Sequence, residues 1–97
     1  MYKWDIYEVT AKETPIHGVM FRGRIRKYAI LNNINLLTEN ASDKENVVRF
    51  AVEKDFDPKK IIIYIKQIIF DSEITLIQKE LVNPVLSKIK INLEERY

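Results

Sequence analysis

The chain of 97 residues has no cysteine and only one histidine. Without thiols it can build no disulfide framework, zinc-thiolate site or cysteine nucleophile, and a single imidazole leaves little for a histidine-based metal cluster. Its chemistry must rest on other groups, and no metal site is expected. No apolar run approaches the ~20 residues that cross a bilayer, and the opening Met1-Tyr2-Lys3-Trp4-Asp5 lacks the apolar core of a signal peptide. The expectation is a soluble, cytoplasmic protein with no membrane partner. Charge of one sign is lacking too: 16 Lys and Arg face 14 Asp and Glu, a formal net charge of +2. That is too little to draw nucleic acid by a global field, so nucleic acid is not an expected partner and local clusters matter more than the total. Glycine is scarce, at two residues, and the many Ile, Lys and Glu beside it suggest a heat-adapted source.

With 46% hydrophobic and 31% charged residues, the composition is that of a globular protein. The length suits one domain with a two-layer core, spanning 1–97, and a monomer is expected. Ile6 to Lys12 alternates Tyr7, Val9 and Ala11 against Glu8, Thr10 and Lys12, as a half-buried strand does. Phe21, Ile25, Tyr28, Ala29 and Asn32 share a helical face, which predicts a helix over Arg22 to Asn32, ended by Asn33 in a left-handed turn. Leu36 to Asn40 and Val47 to Glu53 read as a hairpin around the polar Ala41 to Asn46. The run Ile61 to Ile65 has strand propensity, yet Asp57-Pro58 is a helix start and Ile61, Ile65, Ile68 and Ile69 recur at helical spacing, so a helix over Pro58 to Ile69 is predicted. Glu73 to Leu81 and Lys88 to Leu93 are predicted strands, separated by Asn83-Pro84. Asp5, Glu8, Glu13, Glu94 and Glu95 show no spacing of metal ligands or an acid/base pair and are expected in solvent. Trp4 and Tyr2 are expected as packing anchors. The order strand, helix, strand, strand, helix, strand, with a last strand appended, defines an α+β ferredoxin-like sandwich, βαββαβ, whose two helices cover one face of a largely antiparallel sheet.

The chemistry-bearing stretch is Pro15-Ile16-His17-Gly18-Val19-Met20-Phe21-Arg22, which runs into a basic helix. A glycine there lets consecutive N–H groups turn inward as a nest, and a helix N-terminus adds unsatisfied donors and partial positive charge, which suits a phosphate or a carboxylate. Arg22 can add a bidentate guanidinium. Arg24, Arg26 and Lys27 crowd further charge into the first two turns, where the macrodipole disfavours it, and a bound anion would offset that conflict. Asn40 stands eighteen positions after Arg22. An ~11-residue helix of ~16 Å, a tight turn and a ~5-residue strand of comparable length bring the chain back to where the helix began, so Arg22 and Asn40 should be neighbours.

Gly18-Val19-Met20-Phe21-Arg22, followed by Asn40 at this spacing, resembles the phosphate-binding loop and catalytic asparagine of the acylphosphatase family. That resemblance implies a hydrolase splitting a carboxyl-phosphate anhydride into carboxylate and phosphate. His17, Gly18, Val19, Met20, Phe21 and Arg22 would bind the phosphoryl group, and Arg22 and Asn40 would be catalytic, the amide aiming water. No cofactor is implied, and the expected partner is a small acyl phosphate or inorganic phosphate. The family's usual glutamine is His17 here, a usual glycine is Thr14, a usual arginine is Pro15 and a usual threonine is Ala41, so a supporting hydroxyl would come from Ser42. Arg24 and Arg26 lie outside the motif. These departures keep open an alternative: a non-catalytic anion-binding module, or a nucleic-acid-binding one, on the same fold.

Overall fold

The β-branched and aromatic runs become strands and the two segments of helical periodicity become helices in the computed structural model, which describes residues 2–97. In chain order the elements are β1 (Trp4–Ala11), a short 3-10 helix (Ile16–Val19), α1 (Phe21–Leu31), β2 (Leu36–Asn40), β3 (Val47–Glu53), α2 (Lys59–Ile68), β4 (Ser72–Leu81) and β5 (Glu95–Arg96). The five strands form one antiparallel sheet in the order β2-β3-β1-β4-β5. This is the expected ferredoxin-like α/β sandwich. Tyr7 and Val9 of β1, Val48, Phe50 and Val52 of β3, and Ile74 and Leu76 of β4 meet the buried residues of both helices on one face of the sheet.

The isoleucine run resolves as helix because of which side chains it buries. Ile61 and Ile65 have no exposure while Ile63 is 50% exposed, whereas a strand would have put all three on one face. Each buried isoleucine is worth about 1.5–3 kcal/mol over an exposed one. Asp57 Oδ1 accepts the Lys59 N–H at 3.0 Å, which satisfies one donor of the first turn. At the end of α1, Asn33 is left-handed with φ of 55°. Ile34 N–H reaches the Ala29 carbonyl at 2.8 Å and Asn33 N–H reaches Ile30 at 3.3 Å, so the last carbonyls are capped. Asn32, expected on the buried face, is exposed and turns its amide back onto the Tyr28 carbonyl.

The other face of the sheet corrects two expectations. Lys88 to Leu93 is not a strand. Asn83, at φ of 50°, and Pro84 turn the chain across the sheet, where Leu86 packs with Ile6, Ala51 and Ile77, and Ile89 and Ile91 pack against that cluster. The place beside β4 is taken by Glu95 and Arg96, paired with Leu76 and Thr75. The acids of β1 are not in solvent either. Asp5 is buried and accepts the N–H groups of Asp55 at 3.1 Å and Glu80 at 3.2 Å. Glu8 is buried opposite Arg49 of β3, whose exposure is 0%.

Arg49 Nε donates to Glu8 Oε2 at 3.0 Å, and its two terminal nitrogens donate to Asp43 Oδ1 and Oδ2 at 2.8 and 3.2 Å. Nη1 also reaches the carbonyls of Leu86 and Ser87 at 3.1 and 3.3 Å. The hydrogen bond from Arg49 holds the Asp43 carboxyl below its usual range. Removing the Arg49 guanidinium leaves the buried Glu8 carboxylate without that partner, and breaking a buried pair costs about 3–5 kcal/mol. Arg49→Leu should therefore lower the free energy of unfolding in urea by about that amount, and a loss below about 1 kcal/mol would show that the network does not hold the fold.

Candidate functional site

The segment between β1 and α1 is fixed from two sides before it reaches the helix. Asp71, just ahead of β4, accepts the N–H groups of Glu13 and Thr14 at 2.8 and 3.0 Å and the Thr14 hydroxyl at 2.5 Å. From the other side, Asn46 accepts the Ile16 N–H through Oδ1 at 2.7 Å and donates through Nδ2 to the Thr14 carbonyl at 2.9 Å. Ile16, fully buried, pins the middle.

Beyond this point the backbone departs from the expected glycine nest. Gly18 has no positive φ, and its N–H donates to the Pro15 carbonyl at 2.9 Å, closing a 3-10 turn. The left-handed residue is Met20, at φ 55° and ψ 39°, which is also the N-cap of α1. A helical residue followed by a left-handed one turns successive N–H groups toward one concave side, so the nest lies at Val19 and Met20 rather than at Gly18. Left-handed backbone costs a residue with Cβ about 1–2 kcal/mol. The first turn of α1 closes with the Arg24 N–H donating to Met20 O at 3.2 Å, and no side chain caps the helix. The N–H groups of Phe21, Arg22 and Gly23 are thus the unsatisfied donors of an N-terminal first turn. A side chain built on Gly23 would meet nothing within 4 Å, so the backbone there is open to approach.

These donors border a cleft of about 270 Å³ lined by Ile16, His17, Met20, Phe21, Arg22, Gly23, Arg26, Asn40 and Val48. The cleft is at the small end for a ligand site, which suits a small molecule. Arg22 and Asn40 are brought together in it, as the spacing required. Of the expected phosphate-binding residues, His17, Met20, Phe21 and Arg22 line it, whereas Gly18 and Val19 do not. Arg22 is half-buried and, among the described residues, has no ion-pair or hydrogen-bond partner through its side chain. Asn40 ends β2 opposite Val48. His17 Nε2 lies 3.3 Å from the Val47 carbonyl, to which it donates in the Nε2–H tautomer. Ser42 supplies no hydroxyl to Asn40: its Oγ donates to the Ser87 carbonyl at 2.9 Å.

Three residues of this region are not in the motif. Arg26 lines the cleft one helical turn after Arg22, and its Nη2 donates to the Thr38 carbonyl at 3.1 Å. The four-residue spacing from Arg22 could have revealed it. Asn46 carries φ of 52°, a conformation that asparagine tolerates in turns, and that was its only local signal. Asp71 contacts residues 57 and 58 positions away, and no local pattern marks it.

Among the described residues no three His, Asp or Glu side chains are grouped to hold a metal ion, and no helix is long and apolar enough to cross a membrane. Compared with protein-family models, with curated proteins and with solved structures, the chain has no match. Its class is therefore the one that fold and cleft define: a ferredoxin-like sandwich with a cationic cleft at the N-terminus of its first helix.

The clamp on the loop titrates. The Thr14 hydroxyl, with the N–H groups of Glu13 and Thr14, holds the Asp71 carboxyl at about 2, below its ordinary 3.8. A carboxyl lowered in the folded state contributes stability above its unfolded value and loses it as pH falls through the folded value. Thermal unfolding of the natural protein should therefore weaken as pH drops from 3.8 toward about 2. Asp71→Asn should be less stable at neutral pH and show a flatter profile across that window; parallel profiles would remove the clamp.

Proposed function

We propose that the chain is an acylphosphatase-like hydrolase that cleaves a carboxyl-phosphate anhydride to carboxylate and inorganic phosphate. The observation that carries this reading is the meeting of Arg22 and Asn40 in one cleft at the open N-terminus of α1. The N–H groups of the first helical turn and the Arg22 guanidinium hold the phosphoryl oxygens. The Asn40 amide accepts from a water and orients it in line with the leaving carboxylate. Water oxygen bonds to phosphorus, the bond from phosphorus to the acyl oxygen breaks, and the carboxylate leaves with that electron pair. The water's proton passes to the phosphate product. Phosphoryl transfer draws mainly on positioning and charge stabilisation, so so activated a substrate needs little more than such a cradle.

A second reading, a non-catalytic anion-binding module, draws on different residues. The Gly18 N–H is engaged by Pro15, Pro15 has no N–H of its own, and the Ser42 hydroxyl is engaged by Ser87. Each reduces the number of groups that could hold a transition state.

Hydrolysis of acetyl phosphate by purified variants separates the two. Asn40→Ala should lower kcat roughly 10²-fold with little change in phosphate affinity, as the loss of one preorganised polar group does. Arg22→Lys keeps the charge and loses the planar fork. It should cost on the order of 10 to 10⁴ in kcat/KM, nearly as much as Arg22→Ala, because a charge-assisted hydrogen bond contributes about 1.5–3 kcal/mol. Arg24, outside the cleft, is the control and should tolerate substitution with much less loss. Unchanged kcat in Asn40→Ala would remove Asn40 from the mechanism, and no hydrolysis by the natural protein would leave the binding module.

A further inference from the structure

Arg26 is a second cation of the cleft, beside Arg22. It lies four residues after Arg22 on the same side of α1, lines the cleft with Arg22 and Asn40, and is held in place by one hydrogen bond, Nη2 to the Thr38 carbonyl at 3.1 Å. A carbonyl carries no charge to neutralise a guanidinium, so Nε and Nη1 keep donors for another acceptor. None of the residues lining the cleft is an acid, and among the described residues neither Arg22 nor Arg26 takes part in an ion pair. Glu39 shares a neighbouring depression with Arg26 on its far side but lines no part of the cleft. Like charges four apart on a helix repel, and the first turn of α1 holds no acid to offset Arg22, Arg24 and Arg26. The arrangement leaves two arginines, one turn apart, lining a small space that no acid lines.

We propose that Arg26 binds a second anionic group of the ligand, so that the cleft selects molecules with a phosphoryl group at Arg22 and a carboxylate at Arg26. Resting on the hydrolase reading, this makes the substrate class an acyl phosphate whose acyl group itself carries a carboxylate. Positions four apart on a helix are roughly 5–6 Å apart at Cβ, a separation that a short acyl chain between the two charged ends can span. Arg26 is then a specificity-determining residue and Arg22 the phosphoryl ligand. An acyl phosphate without the carboxylate still reaches Arg22 and Asn40 but forgoes the second contact.

Binding of two non-hydrolysable probes at fixed ionic strength tests this without requiring turnover. Methylphosphonate offers the phosphoryl end alone, and 3-phosphonopropionate offers both ends. The natural protein should bind 3-phosphonopropionate at least about tenfold more tightly, the worth of one charge-assisted hydrogen bond. Arg26→Gln should abolish that preference while leaving methylphosphonate affinity within about twofold. Arg24→Gln, the same change of charge outside the cleft, should retain the preference, and Arg22→Gln should weaken both probes. Equal affinities in the natural protein, a preference that survives Arg26→Gln, or one lost equally in Arg24→Gln would overturn the assignment, and so would binding of neither probe. Acetyl phosphate hydrolysis run in parallel keeps the two ideas apart: a preference without turnover retains the Arg26 assignment and ends the hydrolase reading, while turnover without a preference does the reverse.

Discussion

Arg49 is a full positive charge with no exposure to water, and three separate parts of the chain converge on its guanidinium. Glu8 ties it to β1, Asp43 ties it to the turn between β2 and β3, and the carbonyls of Leu86 and Ser87 tie it to the segment crossing the back of the sheet. Burial of an unpaired guanidinium is strongly destabilising, so these acceptors are what make its burial in the sheet tolerable. The consequence reaches the cleft on the other face. Asn40 immediately precedes the turn that Asp43 anchors, and Asn46, at the end of the same turn, holds Thr14 and Ile16 of the loop. Ser42 adds its N–H and hydroxyl to the Ser87 carbonyl, fastening the turn to the crossing segment. A charge buried on one side of the sheet thereby positions neutral amides on the other.

The scarcity of glycine shapes the backbone in a second way. Met20, Asn33, Asn46, Asp55, Glu80 and Asn83 are left-handed, and neither glycine is. Asparagine and aspartate accept that region because their short polar side chains bond locally, so four of these six positions are inexpensive. Met20 has no such compensation, and it is the residue that launches α1 with its first N–H groups unsatisfied. Strain of this kind persists where surrounding structure over-determines the backbone. Here Asp71 and Asn46 fix the chain on one side of Met20 and the buried Phe21 fixes it on the other.

Periodicity made the helices, four strands and their order legible, because burial of one face is written into residue spacing. Ile61 and Ile65 fixed α2 in this way although propensity alone favoured a strand. The same reasoning placed Arg22 beside Asn40, since it needs only the lengths of α1 and β2. It failed where an element is covered on both sides. Glu8 and Arg49 look like the solvent-facing members of alternating strands, and only the crossing segment 84–91 makes their face an interior. Its later part falls in Lys88 to Leu93, which alternation suggested as a strand; Leu86, Ile89 and Ile91 are apolar at irregular spacing, and no local rule states which face they cover. The pairing of Arg22 with Asn40 was legible and the backbone between was not: a nest was expected at Gly18, and the left-handed residue is instead Met20.

Titration of the ¹⁵N-labelled protein with inorganic phosphate, followed amide by amide, tests most directly whether the cleft is an anion site built on the open start of α1. Saturable shifts are expected at the backbone amides of Phe21, Arg22 and Gly23 and at the Asn40 side-chain amide, with Gly18 and the Arg49 network little changed. Shifts without saturation, or shifts centred on other basic segments such as Lys59 and Lys60, would contradict it.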